Sequence, residues 1–149
     1  MRARRGQFDV FSAPVGGAGG GGRPAGLRVL LVDDDADVTE MMTLALQTEG
    51  WSVDALNRPE EAVEAGARGG YDVLVVDLIM PTLDGVEVLR RLRGRGVTTP
   101  ALLLTGRRGA TEAVDLTGLG VERCLEKPIG LEALFGAIAA AVKAPAKAG

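Results

Sequence analysis

Short apolar runs alternate with helix-like patterns along most of the chain. The apolar runs predict five β-strands, at residues 28–32, 51–56, 72–76, 101–105 and 121–125. Helical patterns predict five helices, at residues 36–50, 58–67, 85–94, 109–118 and 131–142. Apolar spacing supports those at 36–50 and 131–142, and Pro59 with the acids after it marks the start of the helix at 58–67. The helix at 109–118 has the weakest pattern because glycines interrupt it. The order of elements predicts five βα units.

The apolar strands indicate how the sheet is built. Strands that are apolar throughout are buried on both faces, as in a parallel sheet covered by helices on each side. Right-handed crossovers then restrict the topology to a doubly wound sheet. We expect an α/β fold that is flavodoxin-like, with a five-stranded parallel sheet of order 2-1-3-4-5 and five helices.

Composition divides the chain into three parts. Residues 1–26 are rich in glycine and predict a disordered leader, because such sequence cannot repay the entropy of ordering. Residues 27–143 form the predicted domain, and 144–149 a flexible tail. The leader holds four arginines and one aspartate, a charge of +3. Because the net charge of the chain is −3, the remainder carries a charge of −6. The acidic body argues against nucleic acid as a direct partner. The basic leader is better explained as a solvated tail than as an anion-binding arm.

Two residue counts exclude classes of chemistry. The chain has no histidine, which excludes Ser-His-Asp catalysis and the commonest zinc sites within it. A single cysteine cannot form an internal disulfide and suits a reducing compartment. No apolar run approaches the roughly 20 residues of a membrane span. Arg4 and Arg5 are followed by glycine-rich sequence, so an export signal is disfavoured. We expect a cytoplasmic protein with no membrane partner.

Polar residues follow the strands that are neighbours in the predicted sheet. Ligands of open α/β sheets bind beyond the carboxyl ends of such strands. The residues at this edge are Asp33, Asp34 and Asp35 after the first strand, Asp77 at the third, Thr105 at the fourth and Lys127 after the fifth. Clustered carboxylates repel unless a cation intervenes, and hard oxygen ligands suit Mg²⁺. The hydroxyl and the ammonium would bind other phosphoryl oxygens. The cluster predicts a magnesium site at which Asp77 accepts a phosphoryl group.

Each of these residues also has a simpler interpretation. Asp35 and its neighbours suit the N-terminus of the first helix, a role compatible with a metal site. Asp84 and Gly85 are best explained as a turn and a helix cap. Thr105 alone would be an ordinary strand end, and Lys127 alone a solvated lysine. The joint pattern favours the phosphoryl site.

The sequence resembles the receiver domain of two-component response regulators. The resemblance runs from about Leu27 to Val142. It is carried by "LLVDDD" (30–35), "VVDLIMPTLDG" (75–85), "LLLTG" (102–106) and "LGVERCLEKPI" (119–129), in the family's order and spacing.

The resemblance implies a role for each matching residue. Asp77 would be the phospho-acceptor, and Asp33, Asp34, Asp77 and the backbone carbonyl of Ile79 the protein ligands of Mg²⁺. Thr105 would be the switch hydroxyl and Lys127 the phosphate-binding lysine, with a cis bond to Pro128. The phosphoryl donor would be a phosphohistidine on a sensor histidine kinase or a phosphotransfer protein, which agrees with the missing histidine.

Two features bear on how such a domain would behave. The switch position three residues before Lys127, aromatic in most of the family, is Cys124. We expect signalling through backbone and helix shifts, or through a changed partner face, and treat a redox role for Cys124 as disfavoured. Ile79 and Arg107 occupy variable positions beside the site. Because an apolar residue 79 cannot hydrogen-bond an attacking water, we expect slow self-dephosphorylation.

Three functions are consistent with this pattern. The first is a single-domain response regulator, not an enzyme, that signals by docking to an unknown downstream protein or through a phosphorelay. Because only a short stretch follows Val142, we expect no output domain. The alternative is a degenerate receiver that acts as a phosphorylation-independent interaction module. A phosphatase with an aspartate nucleophile is disfavoured because Ile79 stands where a second acid is usually needed.

Overall fold

The structure, a computed structural model, describes residues 23–106 and 114–143. The described part contains five strands and four helices. In chain order they are β1 (Arg28–Val32), α1 (Ala36–Gln47), β2 (Ser52–Leu56), α2 (Pro59–Arg68), β3 (Val73–Asp77), α3 (Gly85–Gly94), β4 (Ala101–Thr105), β5 (Val121–Glu126) and α4 (Leu131–Lys143). Their bounds lie within three residues of those predicted.

The strands form one parallel sheet of order β2-β1-β3-β4-β5. β1 pairs with β2 and β3, and β4 pairs with β3 and β5. The predicted flavodoxin-like, doubly wound topology is therefore confirmed. Val76 of β3 aligns with Val32 of β1 and with Leu103 of β4, so the carboxyl ends of the central strands reach the same edge of the sheet.

The helix predicted at 109–118 differs from what the structure shows. Residues 109–113 lie outside the described part. Residues 114–118 are a bend and a turn instead of a helix. The backbone N–H of Thr117 donates to the side chain of Asp115 (3.0 Å), and Gly118 and Gly120 have φ of 79° and 66°. Side-chain hydrogen bonds of this kind and left-handed glycines favour turns over helix.

The core has two layers, one on each face of the sheet. Leu30 and Val32 of β1 point into a cluster that includes Leu89 and Leu92 of α3. The alternate residues of the same strand, Val29 and Leu31, belong to the opposite cluster, which contains side chains of α1 and α4. This alternation confirms that the central strands are buried on both faces.

Two helix starts agree with the predicted capping. The side chain of Asp35 accepts hydrogen bonds from the backbone N–H groups of Asp37 (2.9 Å) and Val38 (3.3 Å) at the start of α1. The side chain of Asp84 accepts from the N–H of Glu87 (2.9 Å) at the start of α3. Both acids satisfy amide groups that lack partners within the helix.

Residues just before β1 contact the folded domain through side chains and backbone. The indole of the buried Trp51 donates to the carbonyl of Pro24 (2.8 Å). Arg23 pairs with Glu49 (3.4 Å) and Glu132 (3.2 Å), and its guanidinium lies 5.1 Å from the ring centre of Phe135. These contacts belong to the last residues of the predicted leader, whereas 1–22 and the predicted tail at 144–149 lie outside the described part.

Within residues 23–106 and 114–143, no helix is both long and apolar enough to cross a bilayer.

Candidate functional site

The sheet brings four of the predicted site residues to one edge. Asp33 directly follows β1, Asp77 is the last residue of β3, Thr105 is the last residue of β4, and Lys127 directly follows β5. Asp33, Asp77 and Thr105 are buried. Because the strands are parallel and adjacent, residues separated by up to 94 positions meet here.

Three carboxylates converge at this edge. Asp33, Asp34 and Asp77 each offer one oxygen, and these oxygens all lie within 4.8 Å of one another. Asp33 is fully buried, Asp77 is 5% exposed, and Asp34 faces solvent. Hard oxygen donors with one open side suit a hydrated divalent cation such as Mg²⁺. The donor set therefore fits the predicted metal.

Lys127 places a positive charge beside these carboxylates. Its Nζ lies 2.6 Å from an oxygen of Asp33 and 3.4 Å from an oxygen of Asp77. Burial lowers the pKa of Lys127, but its hydrogen bond to Asp33 and the two carboxylate charges outweigh burial and leave that pKa raised. The lysine is therefore charged at neutral pH. The bond between Lys127 and Pro128 is cis, as predicted.

Asp77 is the residue whose ionisation the site perturbs most clearly. Burial raises the pKa of Asp77 to about 6, with a further increase from the charge of Asp33 and a partial opposing effect from Lys127. Lys127 thus does not offset the combined effect of burial and of the neighbouring carboxylate on this pKa. A divalent cation would favour the ionised form of Asp77.

Asn57 is a part of the site that sequence reasoning missed. Its side-chain amide donates to the backbone carbonyl of Asp33 (2.7 Å) and to the hydroxyl of Thr39 (3.0 Å). The backbone N–H of Asp35 in turn donates to the side chain of Asp33 (3.0 Å). These bonds hold the turn between β1 and α1. The only sequence signal was the position of Asn57 directly after the second predicted strand.

Gly85 has a second role beyond the predicted turn. A Cβ built on Gly85 would overlap the backbone carbonyl oxygen of Asp77, closer than real Cβ contacts allow. The N–H of Gly85 donates to the carbonyl of Leu78 (2.8 Å). The start of α3 therefore packs directly on the backbone of Asp77. Only the absence of a side chain permits this approach.

The remaining predicted positions lie around this centre. The N–H of Lys127 donates to the carbonyl of Thr105 (2.7 Å), so the backbone joins the two residues. Cys124 is half-buried, aligns with Leu103 of β4, and packs against the core cluster on that face. The side chain of Ile79 is 52% exposed. The metal-ligating role of the Ile79 carbonyl stays a prediction, and Arg107 lies outside the described residues.

The family model of the response regulator receiver domain matches residues 29–139. The chain belongs to this family. Receiver domains are the regulatory phospho-acceptor domains of two-component signal transduction, so the resemblance found in the sequence is confirmed over residues 29–139.

Individual relatives and solved structures also support this family assignment. The chain is 41% identical over 108 residues to the transcriptional regulatory protein TrcR of Mycobacterium tuberculosis, covering 72% of this chain and 42% of that protein. It is 42% identical over 117 residues to the response regulator MprA of Mycobacterium leprae, covering 78% and 51%. The Francisella response regulator 1452 receiver domain has a TM-score of 0.71 and 26% identity, covering 78% and 97%. The chain thus spans about half the length of the curated relatives named here.

Proposed function

We propose that this receiver accepts a phosphoryl group on the carboxylate of Asp77 and signals through contacts with other proteins. The observation that carries the proposal is the position of Asp77. This carboxylate ends β3, lies within 4.8 Å of oxygens of Asp33 and Asp34, and lies 3.4 Å from the ammonium of Lys127. Such a nucleophile, bordered by a cation site and a fixed positive charge, suits an incoming phosphoryl group.

The metal of this reaction is Mg²⁺ in our proposal. Asp33, Asp34 and Asp77 would hold it with their carboxylates, and Ile79 with its backbone carbonyl. When bound, Mg²⁺ neutralises charge on the transferring phosphoryl group. The raised pKa of Asp77 supports this assignment, because the site needs more positive charge than Lys127 alone provides.

Three residues of the chain take part in the proposed phosphoryl transfer, each in a different role. An ionised oxygen of Asp77 attacks phosphorus while the bond to the donor breaks in line with it. Lys127 stays charged and orients a phosphoryl oxygen. The hydroxyl of Thr105, at the end of β4, would donate to another. Because the sequence contains no histidine, the phosphohistidine donor belongs to a sensor histidine kinase or a histidine phosphotransfer protein.

Phosphorylation is proposed to change the surface near β5 and α4. Thr105 and Lys127 are linked through the backbone, and Thr105 aligns with Glu126 in the β4–β5 ladder. Movement of either side chain toward a phosphoryl group therefore pulls on the end of β5 and on the start of α4. Cys124 lacks a ring that could swing inward, so this route uses backbone and helix shifts.

The downstream partner is proposed to be a protein, reached by docking or by onward transfer of the phosphoryl group. Single-domain action stays a prediction, because the curated relatives named above are about twice as long as the matched region. The alternative is a docking module that is never phosphorylated. Attachment of a phosphoryl group to the protein therefore distinguishes the two functions.

Incubation with Mg²⁺ and acetyl phosphate tests the proposal. Intact mass should show one added phosphoryl group that is stable in acid and lost in base. Asp77→Asn should abolish it, and Asp72→Asn, on an exposed residue just before β3, should retain it. Absence of the adduct with acetyl phosphate and with histidine kinases would overturn the proposal in favour of the phosphorylation-independent module.

A further inference from the structure

An apolar strip is exposed on α1. Met41 and Leu44 are 55% and 60% exposed, although large apolar side chains elsewhere on this helix, such as Met42 and Leu46, are buried. The two residues are three positions apart and therefore adjacent on the helix surface. Toward the start of the helix the same surface continues into the exposed acids Asp37 and Glu40. We call these four residues, Asp37, Glu40, Met41 and Leu44, the α1 face.

The charge of the α1 face is uncompensated within its own helix. The sequence of α1, "ADVTEMMTLALQ", contains two acids and no lysine or arginine. From the N-terminal end of the helix to its C-terminal end, the face is first acidic and then apolar. An occupant of this surface should therefore be basic at one end and apolar at the other.

The N-terminal segment of the chain has this composition. Residues 8–11, "FDVF", contribute two phenylalanines and a valine, and they follow Arg2, Arg4 and Arg5. These two phenylalanines stand out in a chain with only 3% aromatic residues. The eleven residues between this apolar group and Arg23 include six glycines. The segment thus consists of a basic head, a mostly apolar group that also contains Asp9, and a glycine-rich tether.

The tether begins near the C-terminal end of α1, next to the apolar part of the α1 face. Arg23 is held against Glu49, just beyond the C-terminal end of the helix. Eleven residues of glycine-rich chain have an r.m.s. span of about 17–20 Å. The twelve residues of α1 extend about 18 Å, so the whole α1 face is within reach.

The order of groups also matches. From Arg23 toward Met1, the chain presents the tether, then the apolar group, then the arginines. From the C-terminal end of α1 toward its start, the surface presents Leu44 and Met41, then Glu40 and Asp37. We propose that residues 2–11 dock on the α1 face of the same molecule, with Phe8 and Phe11 on Met41 and Leu44 and the arginines beside the acids.

This contact would have a regulatory consequence. α1 begins immediately after the acidic residues of the site, so a docked leader covers the surface beside that site. A partner that needs this surface would have to displace the leader. Because the leader belongs to the same chain, the contact would be intramolecular, and weak contacts would suffice for occupancy.

Paramagnetic relaxation in the full chain tests the docking. A nitroxide is attached to Ser12→Cys in a Cys124→Ser background, and methyl signals of Met41, Leu44 and Leu131 are compared. Leu131 is a matched control because it is exposed and apolar but lies on α4. We expect selective loss of the Met41 and Leu44 signals, and recovery of both in Phe8→Ser/Phe11→Ser. The substitution Gln7→Ser should leave the loss unchanged.

Three results would overturn the proposal. Equal attenuation of the three methyl groups would show that the leader does not prefer α1. Attenuation in a mixture of nitroxide-labelled chains with separate isotope-labelled chains would identify a second copy as the occupant. Retention of the signals in buffer, together with binding of the wild-type leader to phosphatidylserine vesicles, would assign the basic head to a lipid surface instead.

Discussion

The ammonium of Lys127 lies closer to Asp33 (2.6 Å) than to Asp77 (3.4 Å). Asp33 is fully buried, so its carboxylate depends on this lysine when no metal is bound. A buried charge that loses its partner is strongly destabilising. The lysine thus stabilises the carboxylates of Asp33 and Asp77 in the metal-free protein, in addition to its proposed contact with a phosphoryl group.

Replacement of Lys127 should therefore destabilise the metal-free protein. We expect Lys127→Gln to lower the free energy of unfolding by about 1–3 kcal/mol in EDTA, because Asp33 is left without its ion pair. Mg²⁺ should restore part of this loss by supplying charge to the same carboxylates. Urea denaturation with and without Mg²⁺ measures both effects. Lys143→Gln, on an exposed lysine, is the control, and an equal loss in that variant would contradict the explanation.

Asp77 should make the stability of the metal-free protein depend on pH. Its folded pKa of about 6 lies above the ordinary aspartate value of 3.8, so the folded state binds more protons than the unfolded state between these values. Stability therefore falls as pH rises through this window and levels off above it. The contribution is about 3 kcal/mol at most.

The substitution Asp77→Asn should remove this contribution. In EDTA the variant should be more stable than the wild type at about pH 7–8, and the two proteins should converge near pH 4. Added Mg²⁺ should stabilise the wild type at neutral pH and have less effect on the variant. Urea denaturation across this range measures the difference. A constant difference between the two proteins at every pH would argue against titration of Asp77.

Gly85 should be intolerant of even a methyl group. In Gly85→Ala the new Cβ would overlap the carbonyl oxygen of Asp77, so the start of α3 must move. We expect a loss of about 1–3 kcal/mol in the free energy of unfolding and slower phosphorylation by acetyl phosphate. Gly136→Ala is a matched control in α4, where a Cβ meets nothing within 4 Å. That variant should gain roughly 1 kcal/mol from helix propensity. Similar behaviour of both variants would exclude the proposed overlap.

Ile79 should slow the loss of the phosphoryl group. Its side chain is 52% exposed and cannot hydrogen-bond a water that attacks phosphorus. We expect Ile79→Asn to dephosphorylate faster than the wild type and Ile79→Leu to remain slow, with both variants within about 0.5 kcal/mol of wild-type stability. Decay of the phosphorylated mass after removal of the donor measures the rate. Equal rates in all three proteins would remove this role from residue 79.

The fold was predictable because its signals are local in sequence. Continuous apolar runs mark strands buried on both faces, and parallel pairing then brings their carboxyl ends to one edge. The convergence of Asp33, Asp77 and Lys127 follows from that topology, which is why the site could be assembled from residues far apart. Asp35 and Asp84 were identifiable as caps because capping depends only on the next few residues.

The missed features depend on contacts that no local pattern encodes. Asn57 matters because the turn after β2 lies beside the turn after β1, and Gly85 matters because α3 approaches the backbone of Asp77. The sequence predicts a helix at 109–118, whereas Gly118 and the side chain of Asp115 favour a turn over residues 114–118. In each case tertiary proximity or turn chemistry, and not periodicity, determines the structure.

The most direct test of the account is to locate the phosphoryl group by residue. The protein is phosphorylated with acetyl phosphate and Mg²⁺, then reduced with borohydride, which converts an aspartyl phosphate to homoserine. Peptide mass mapping should place homoserine at position 77 alone, and only when Mg²⁺ was present during phosphorylation. Homoserine at position 33 or 34, or unmodified aspartate at all three positions, would contradict the assignment of Asp77 as the phospho-acceptor.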